Sequence, residues 1–326
     1  MNVLISCSIL FLLFSVPTGV YADTLPTSTI EYGVANTKFG AVRYAQLGPE
    51  DGEKVLFSTG GGVGYHSILA FEWLAKQGYR MICISRPGYF DLPIDTTLGL
   101  DYHADVYHEV LTALGIEEEI HVFGVSMGGL SALYYAQKYP TKSLVLWCAV
   151  SGKYLINKES ANSTLGKLVL SRRGKKMISF LLKASVKLAP RSTISTFLEA
   201  SAYLDNKERR AIARQVVNDP QSKREFHFFV ESMTPMDSLY YGTMDEAYRA
   251  ADLVGVDWSR ITCPTFAVYS TIDKDVTLDH AERLEAMIPG ITMMYVKAGG
   301  HYVWWGEEGK EVKRKSWEFI RQHTQE

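Results

Sequence analysis

Residues 119–138 read EIHVFGVSMGGLSALYYAQK, and this stretch decides the fold. Its first seven residues are mostly apolar and rich in β-branched and aromatic side chains, which suit a buried strand. From Met127 onward, Leu130, Leu133 and Tyr134 recur at helical spacing, which predicts a helix over 127–138. At the junction, Gly124-Val125-Ser126-Met127-Gly128 spells G-x-S-x-G. Such a pattern also arises by chance, and a glycine-rich junction can carry a passive serine. Its place between a strand and a helix gives it weight. A sharp turn there lifts the serine hydroxyl above the sheet edge and aims the next backbone N–H at the same space.

The flanking chain repeats the alternation. Residues 29–35 and 41–47 alternate apolar and polar side chains around Asn36-Thr37-Lys38-Phe39-Gly40, which predicts an antiparallel hairpin. Further strands are expected at 54–59, 80–85, 143–150, 265–270 and 291–296, with helices at 66–77, 98–114, 278–287 and 307–322. Short apolar strands separated by helices imply right-handed crossovers and a mostly parallel sheet. From 153 to 257 the strands stop and helical stretches follow. Insertions in α/β sheets sit near the carboxyl ends of strands, where ligands bind. A helical cap over 152–257 is therefore expected, on a core made from 23–151 and 258–326.

A serine hydroxyl is a poor nucleophile at neutral pH and needs a base. His301 is best placed. It follows Ala298-Gly299-Gly300, just past the last predicted strand. His121 falls inside a strand, and His66, His103, His108 and His280 fall on or beside helices. The imidazole needs a carboxylate to fix its tautomer. Asp273 follows the 265–270 strand and is favoured, with Asp275 as its rival. The order Ser126, Asp273, His301 runs nucleophile, acid, base. Thr59-Gly60-Gly61-Gly62-Val63-Gly64 lacks the Gly-Lys-Ser/Thr ending of a phosphate loop. Its backbone suits amide donation instead, with the N–H groups of Gly61 and Met127 as the expected oxyanion hole. A merely flexible glycine loop is the alternative. No tight His/Cys motif points to a metal, and the expected cycle calls for no cofactor.

On these residues the chain resembles the α/β-hydrolase superfamily, in its form of a serine hydrolase with a helical cap. The resemblance runs from about residue 29 to the C-terminus and is weakest in the cap. It extends to Ser85-Arg86-Pro87-Gly88-Tyr89 after a strand, to Pro264 before the acid strand and to Gly300-His301. One departure is Thr59-Gly60, where the family often has His-Gly. The resemblance implies an α/β fold with a mostly parallel eight-stranded sheet. It also implies acyl transfer to water, on a carboxylic ester in the first place. Amide or C–C cleavage on the same triad is an alternative, and a non-catalytic binding protein of the same fold is another. Serine at the elbow argues against haloalkane dehalogenase and epoxide hydrolase chemistry, whose nucleophile is aspartate.

Composition sets the outer bounds. The chain has 326 residues, 47% hydrophobic and 21% charged, with a net charge of −2. That is ordinary globular composition without the basic excess of a nucleic-acid binder; the small acyl substrate expected as partner is what the resemblance implies. Residues 3–16 are apolar and uncharged, too short for the roughly 20 residues of a membrane span. Val20-Tyr21-Ala22 before Asp23 fits a signal peptide over 1–22 and a secreted or extracytoplasmic protein; an uncleaved anchor is the alternative. Beyond it, Cys83, Cys148 and Cys263 are odd in number and read as buried free thiols. Asn162-Ser163-Thr164 is a glycosylation sequon.

Residues 153–191 carry ten basic side chains and one acid, Glu159. Arg172, Lys176, Lys183 and Lys187 fall on one helical face, with Ile178, Leu181 and Leu182 opposite. This predicts either a solvated face over a packed helix or weak contact with an anionic membrane surface. Of Phe180, Phe226, Phe228, Phe229, Tyr240 and Tyr241, most are expected in cap packing and some along an acyl pocket.

Overall fold

The computed structural model describes residues 30–155 and 172–324. The leader, the sequon and the Arg172 side chain lie outside that description. The expected hairpin forms from β1 (Ile30–Thr37) and β2 (Gly40–Leu47), paired antiparallel. β3 (Lys54–Ser58), β4 (Arg80–Ile84), β5 (Ile120–Val125), β6 (Thr141–Trp147), β7 (Thr265–Ser270) and β8 (Thr292–Val296) follow. The sheet order is β1-β2-β4-β3-β5-β6-β7-β8, parallel from β4 through β8 and antiparallel at β1 and β2. It is the expected eight-stranded, mostly parallel α/β sheet. β3, β5 and β6 occupy its middle, which is why they read as continuous apolar runs.

Three elements differ from expectation. The helix expected over 66–77 starts as a 3₁₀ helix, Tyr65–Phe71, and ends as one α-turn, α1 (Glu72–Ala75). Gly64 at its start offers no side-chain cap, and every residue from Ser67 to Ala75 is buried, so packing on both sides sets its winding. α2 (Tyr102–Ala113) starts four residues late, after a turn at Gly99, and Gly115 closes it at φ 72°. β6 ends at Trp147 and not at Val150, because Cys148 takes φ 42° and breaks the extended run. By contrast, α3 (Met127–Lys138) begins one residue after Ser126, as the sequence predicts.

Among the described residues, five helices lie between β6 and β7: α4 (Arg172–Leu188), α5 (Pro190–Ser201), α6 (Asn206–Asn218), α7 (Pro220–Ser232) and α8 (Met236–Ala251). Side-chain caps fix two of the starts. Asp205 caps α6 through Glu208 in a reciprocal capping box, and Asp219 caps α7, with Pro220 in its first turn. The two ends of this insertion are joined. Trp258 Nε1 donates to the carbonyl of Ser151 at 2.8 Å, and the Tyr154 amide to that of Ala250 at 2.9 Å. α9 (Leu278–Met287) and α10 (Gly306–Gln322) complete the core.

The core is centred on Trp147. Its ring stacks between Trp73 at 6.0 Å and Trp304 at 5.9 Å, and its N–H donates to Ser316 on α10 at 2.9 Å. Cys83 and Cys148 are buried free thiols as expected, whereas Cys263 is only half-buried. Among the described residues, no helix is long and apolar enough to cross a membrane.

Candidate active site

The turn between β5 and α3 holds Ser126 at φ 54° and ψ −129°, a backbone state unusual for any residue but glycine. The surroundings enforce it. The Ser126 amide donates to the Trp147 carbonyl at 3.0 Å, and its carbonyl accepts from Gly129 and Val150, each at 2.9 Å. Close approach explains two glycines. A Cβ on Gly128 would lie 2.1 Å from the Thr59 carbonyl oxygen, and one on Gly129 would lie 2.2 Å from the Ala149 Cβ. Strain of this sort persists where the structure around it over-determines the turn.

His301 lies in the loop after β8, held by Glu308 from the first turn of α10. Glu308 Oε2 accepts from the amides of Lys297 at 2.9 Å and Ala298 at 2.8 Å. Asp273 lies in the loop after β7. Its Oδ1 accepts from the amides of Asp275 at 2.7 Å and Val276 at 3.1 Å, an Asx-type turn that fixes the carboxylate. The cap braces this loop, because the Lys274 amide donates to Ser201 at 3.0 Å and the Tyr203 amide to Ile272 at 2.9 Å.

The structure brings three distant side chains together. His301 Nδ1 lies 2.8 Å from Asp273 Oδ2, and His301 Nε2 lies 3.0 Å from Ser126 Oγ. With Nδ1–H donating to the carboxylate, Nε2 keeps a lone pair for the serine proton. Burial pushes the imidazole pKa down, but the charges of Asp273 and Asp275 outweigh it and leave a net upward shift. Asp275 does not contact Nδ1. Its Oδ2 stands 3.7 Å from Nε2, on the serine side, and it accepts from the Tyr154 hydroxyl. Burial raises its pKa and the His301 charge lowers it further, so it stays ionised. The rival carboxylate is thus in the site, in a different place.

Gly60 and Gly61 cross in front of the elbow. A Cβ on Gly60 would stand 3.4 Å from the Ser126 Cβ, and one on Gly61 3.4 Å from the Met127 Cβ. Both glycines, Ser126 and His301 line one cavity of about 160 Å³. Its walls are apolar: Phe71 from the core, Phe197 from α5, Phe229 from α7, Met236 and Leu239 from α8. Asp275 is the acidic group on its wall, and none of the described lining residues is Lys or Arg. The aromatic expectations divide. Phe229 and Tyr240 line the cavity, Phe226 is buried in cap packing and Phe228 is half-buried, but Phe180 and Tyr241 are 71% and 66% exposed. Phe180 sits on the outer face of its helix, where helical spacing alone does not distinguish wall from surface.

The other histidines lie apart. His121 bonds Ser143 at 2.8 Å within the sheet, and burial brings its pKa down to about 4. Cys148 is a buried neighbour of the triad, with its Sγ and ligand atoms of Asp273 and His301 all within 4.8 Å. Burial and the Asp273 charge hold that thiol protonated, so it is a weak metal ligand, and the other two groups are committed to each other.

The triad read from the sequence, Ser126, Asp273 and His301, is brought together; Glu308, Asp275 as a cavity wall, and a buried cluster of Arg86, Tyr89 and Glu246 were passed over. Arg86 lies in the stretch already singled out. Nothing in the local pattern marks Glu246.

Known proteins agree with this architecture. The chain is 26% identical over 284 residues to the uncharacterized hydrolase YcgS of Bacillus subtilis, covering 84% of this chain and 92% of that one. It is 31% identical over 195 residues to Lipase 1 of Psychrobacter immobilis, with 56% and 59% covered. It is 24% identical over 291 residues to 2-hydroxy-6-oxo-6-phenylhexa-2,4-dienoate hydrolase of Comamonas testosteroni, with 86% and 91% covered. In solved structures, an alpha/beta hydrolase fold protein from Nakamurella multipartita superposes with a TM-score of 0.78 at 25% identity, over 89% of this chain and 99% of that one. The sequence profile described as the alpha/beta hydrolase family matches residues 55–314, and the chain belongs to that family of hydrolases.

Proposed function

We propose that this hydrolase is a serine esterase that cleaves neutral esters with small or medium apolar acyl groups. The observation that carries the reading is the hydrogen-bonded chain Ser126–His301–Asp273, which opens on an apolar cavity. His301 Nε2 takes the Ser126 proton as Oγ attacks the ester carbonyl carbon. The N–H groups of Gly61 and Met127 receive the oxyanion, each worth about 3 kcal/mol in the transition state. The tetrahedral adduct collapses and the alcohol leaves with the proton from His301. Water, deprotonated by the same imidazole, then releases the acid from the acyl-enzyme.

C–C cleavage on the same triad is the second reading, and the relatives include a dienoate hydrolase of Comamonas testosteroni. A dienoate brings a carboxylate, however, and none of the described lining residues is a Lys or Arg to receive it. A neutral ester needs no such partner. We further infer export through the 1–22 leader, and weak contact of the outer α4 face with anionic membrane surfaces.

A fluorophosphonate probe tests the central reading. The wild-type protein is expected to label and to hydrolyse p-nitrophenyl butyrate, and Ser126→Ala to do neither. An unlabelled, inactive wild-type protein would reject it. Faster turnover of a dienoate than of any ester would move the assignment to C–C cleavage.

A further inference from the structure

We propose that the buried pair Arg86–Glu246, with Tyr89, is a positioning device through which cap helix α8 aims the Gly60–Gly61 amide at the reacting carbonyl. The proposal rests on the esterase reading above and adds residues to it.

Arg86 follows β4 and is 2% exposed; Glu246 on α8 is equally buried. Arg86 Nε donates to Glu246 Oε1, and Nη2 donates to Oε2 at 3.1 Å, a two-pronged pair between core and cap. The rest of the guanidinium faces the glycine loop. Nη1 donates to the Thr59 carbonyl, and Nη2 to the Gly60 carbonyl at 3.0 Å. Tyr89 donates to Glu246 Oε2 at 2.8 Å and accepts from the Gly62 amide at 3.2 Å. Nearby His103 is kept neutral by burial and by the Arg86 charge, so the charge of Glu246 is answered by Arg86.

Peptide planarity turns these bonds into aim. The carbonyl of Gly60 and the N–H of Gly61 belong to one trans peptide and point in opposite directions. A guanidinium that holds the carbonyl on one side therefore turns the Gly61 N–H to the other. Gly61 and Ser126 line the same cavity there. The Gly62 N–H is already spent on Tyr89, which leaves the Gly61 N–H as the donor on this part of the loop. A buried ion pair adds little net stability over apolar packing, yet breaking one side of it is costly. What this pair supplies is a fixed orientation for two carbonyls, delivered from the helix that also carries cavity residues Leu239 and Thr243.

The full chain, with Glu246→Gln and Tyr89→Phe variants, tests this on p-nitrophenyl butyrate and the fluorophosphonate probe. Glu246→Gln removes the charge that orients Arg86. Tyr89→Phe removes only a hydroxyl and leaves the ion pair intact. The expected result is a fall in kcat of at least about tenfold for each, with KM within about threefold and slower labelling of Ser126. The acid limb of the pH–rate profile should stay in place, because the base and its carboxylate are untouched. Loss of thermal stability with unchanged kcat would show a structural role and overturn the proposal, as would a shift of the acid limb. If Glu246→Gln does not fold, Tyr89→Phe decides alone. Failure of the wild-type protein to turn over or label would reject the esterase reading instead, so the two failures are told apart.

Discussion

At the scale of single residues, the site separates two carboxylates that neighbour each other in sequence. Asp273 meets the far nitrogen of His301 and Asp275 faces the near one. Their replacements should therefore differ in kind. Asp273→Asn is expected to lower kcat roughly ten-thousand-fold, since the imidazole loses its tautomer and the partner of its cation. Asp275→Asn leaves that bond in place and should keep substantial activity. Its effect belongs to the pH profile. The base works only when neutral, and both carboxylates favour its protonated form, so activity disappears on the acid side at a pH above the ordinary histidine value. Removing the Asp275 charge disfavours protonation and should carry that limb to lower pH, read from kcat/KM for a neutral ester. An unmoved limb would deny Asp275 any electrostatic hold on the base. Ser126, His301 and Asp273 were legible in the sequence because each follows a strand with its own local signature. The partnership of Arg86 with Glu246 was not, because 160 positions separate the two and only the docking of the cap brings them together.

At the scale of elements, the strands and α3 were legible within a few residues, since apolar runs bounded by glycine leave little choice of structure. The segment after Gly64 was not. Its winding answers to burial on both sides, which no periodicity records. α4 shows a subtler gap. Its basic stripe was apparent, and Lys176, Lys183 and Lys187 do face solvent, but Lys175 is buried over the ring of Tyr240 at 4.2 Å. Met177 and Phe180 are exposed beside the basic stripe. Charge with a protruding aromatic ring is the composition that adsorbs to anionic lipid. Each lysine near such a surface contributes about 1 kcal/mol, so replacing all three by Gln should cut partitioning roughly a hundredfold. Sedimentation with phosphatidylserine-containing vesicles measures it, and binding should fade as salt rises. Equal binding to purely zwitterionic vesicles would defeat this reading.

For the molecule as a whole, Trp147 joins stability to function. Its ring packs between two other tryptophans while its carbonyl receives the Ser126 amide. Trp147→Ala should lower unfolding free energy by about 3–5 kcal/mol, measured by urea titration, and a loss below 1 kcal/mol would show that the cluster repacks easily. The cap has its own logic. Its two ends meet at Ser151 and Trp258, so everything between them leaves and rejoins the hydrolase at one spot. Such a stem makes the lid an interchangeable cassette: a foreign one could be spliced in without redrawing any strand, and new substrate tastes could spread by that exchange. The splice carries two conditions. The backbone bonds by which Ser201 and Tyr203 brace the Asp273 loop must be reproduced. An incoming lid must also present an acid where Glu246 stands, or Arg86 is stranded in the interior with its positive charge unanswered.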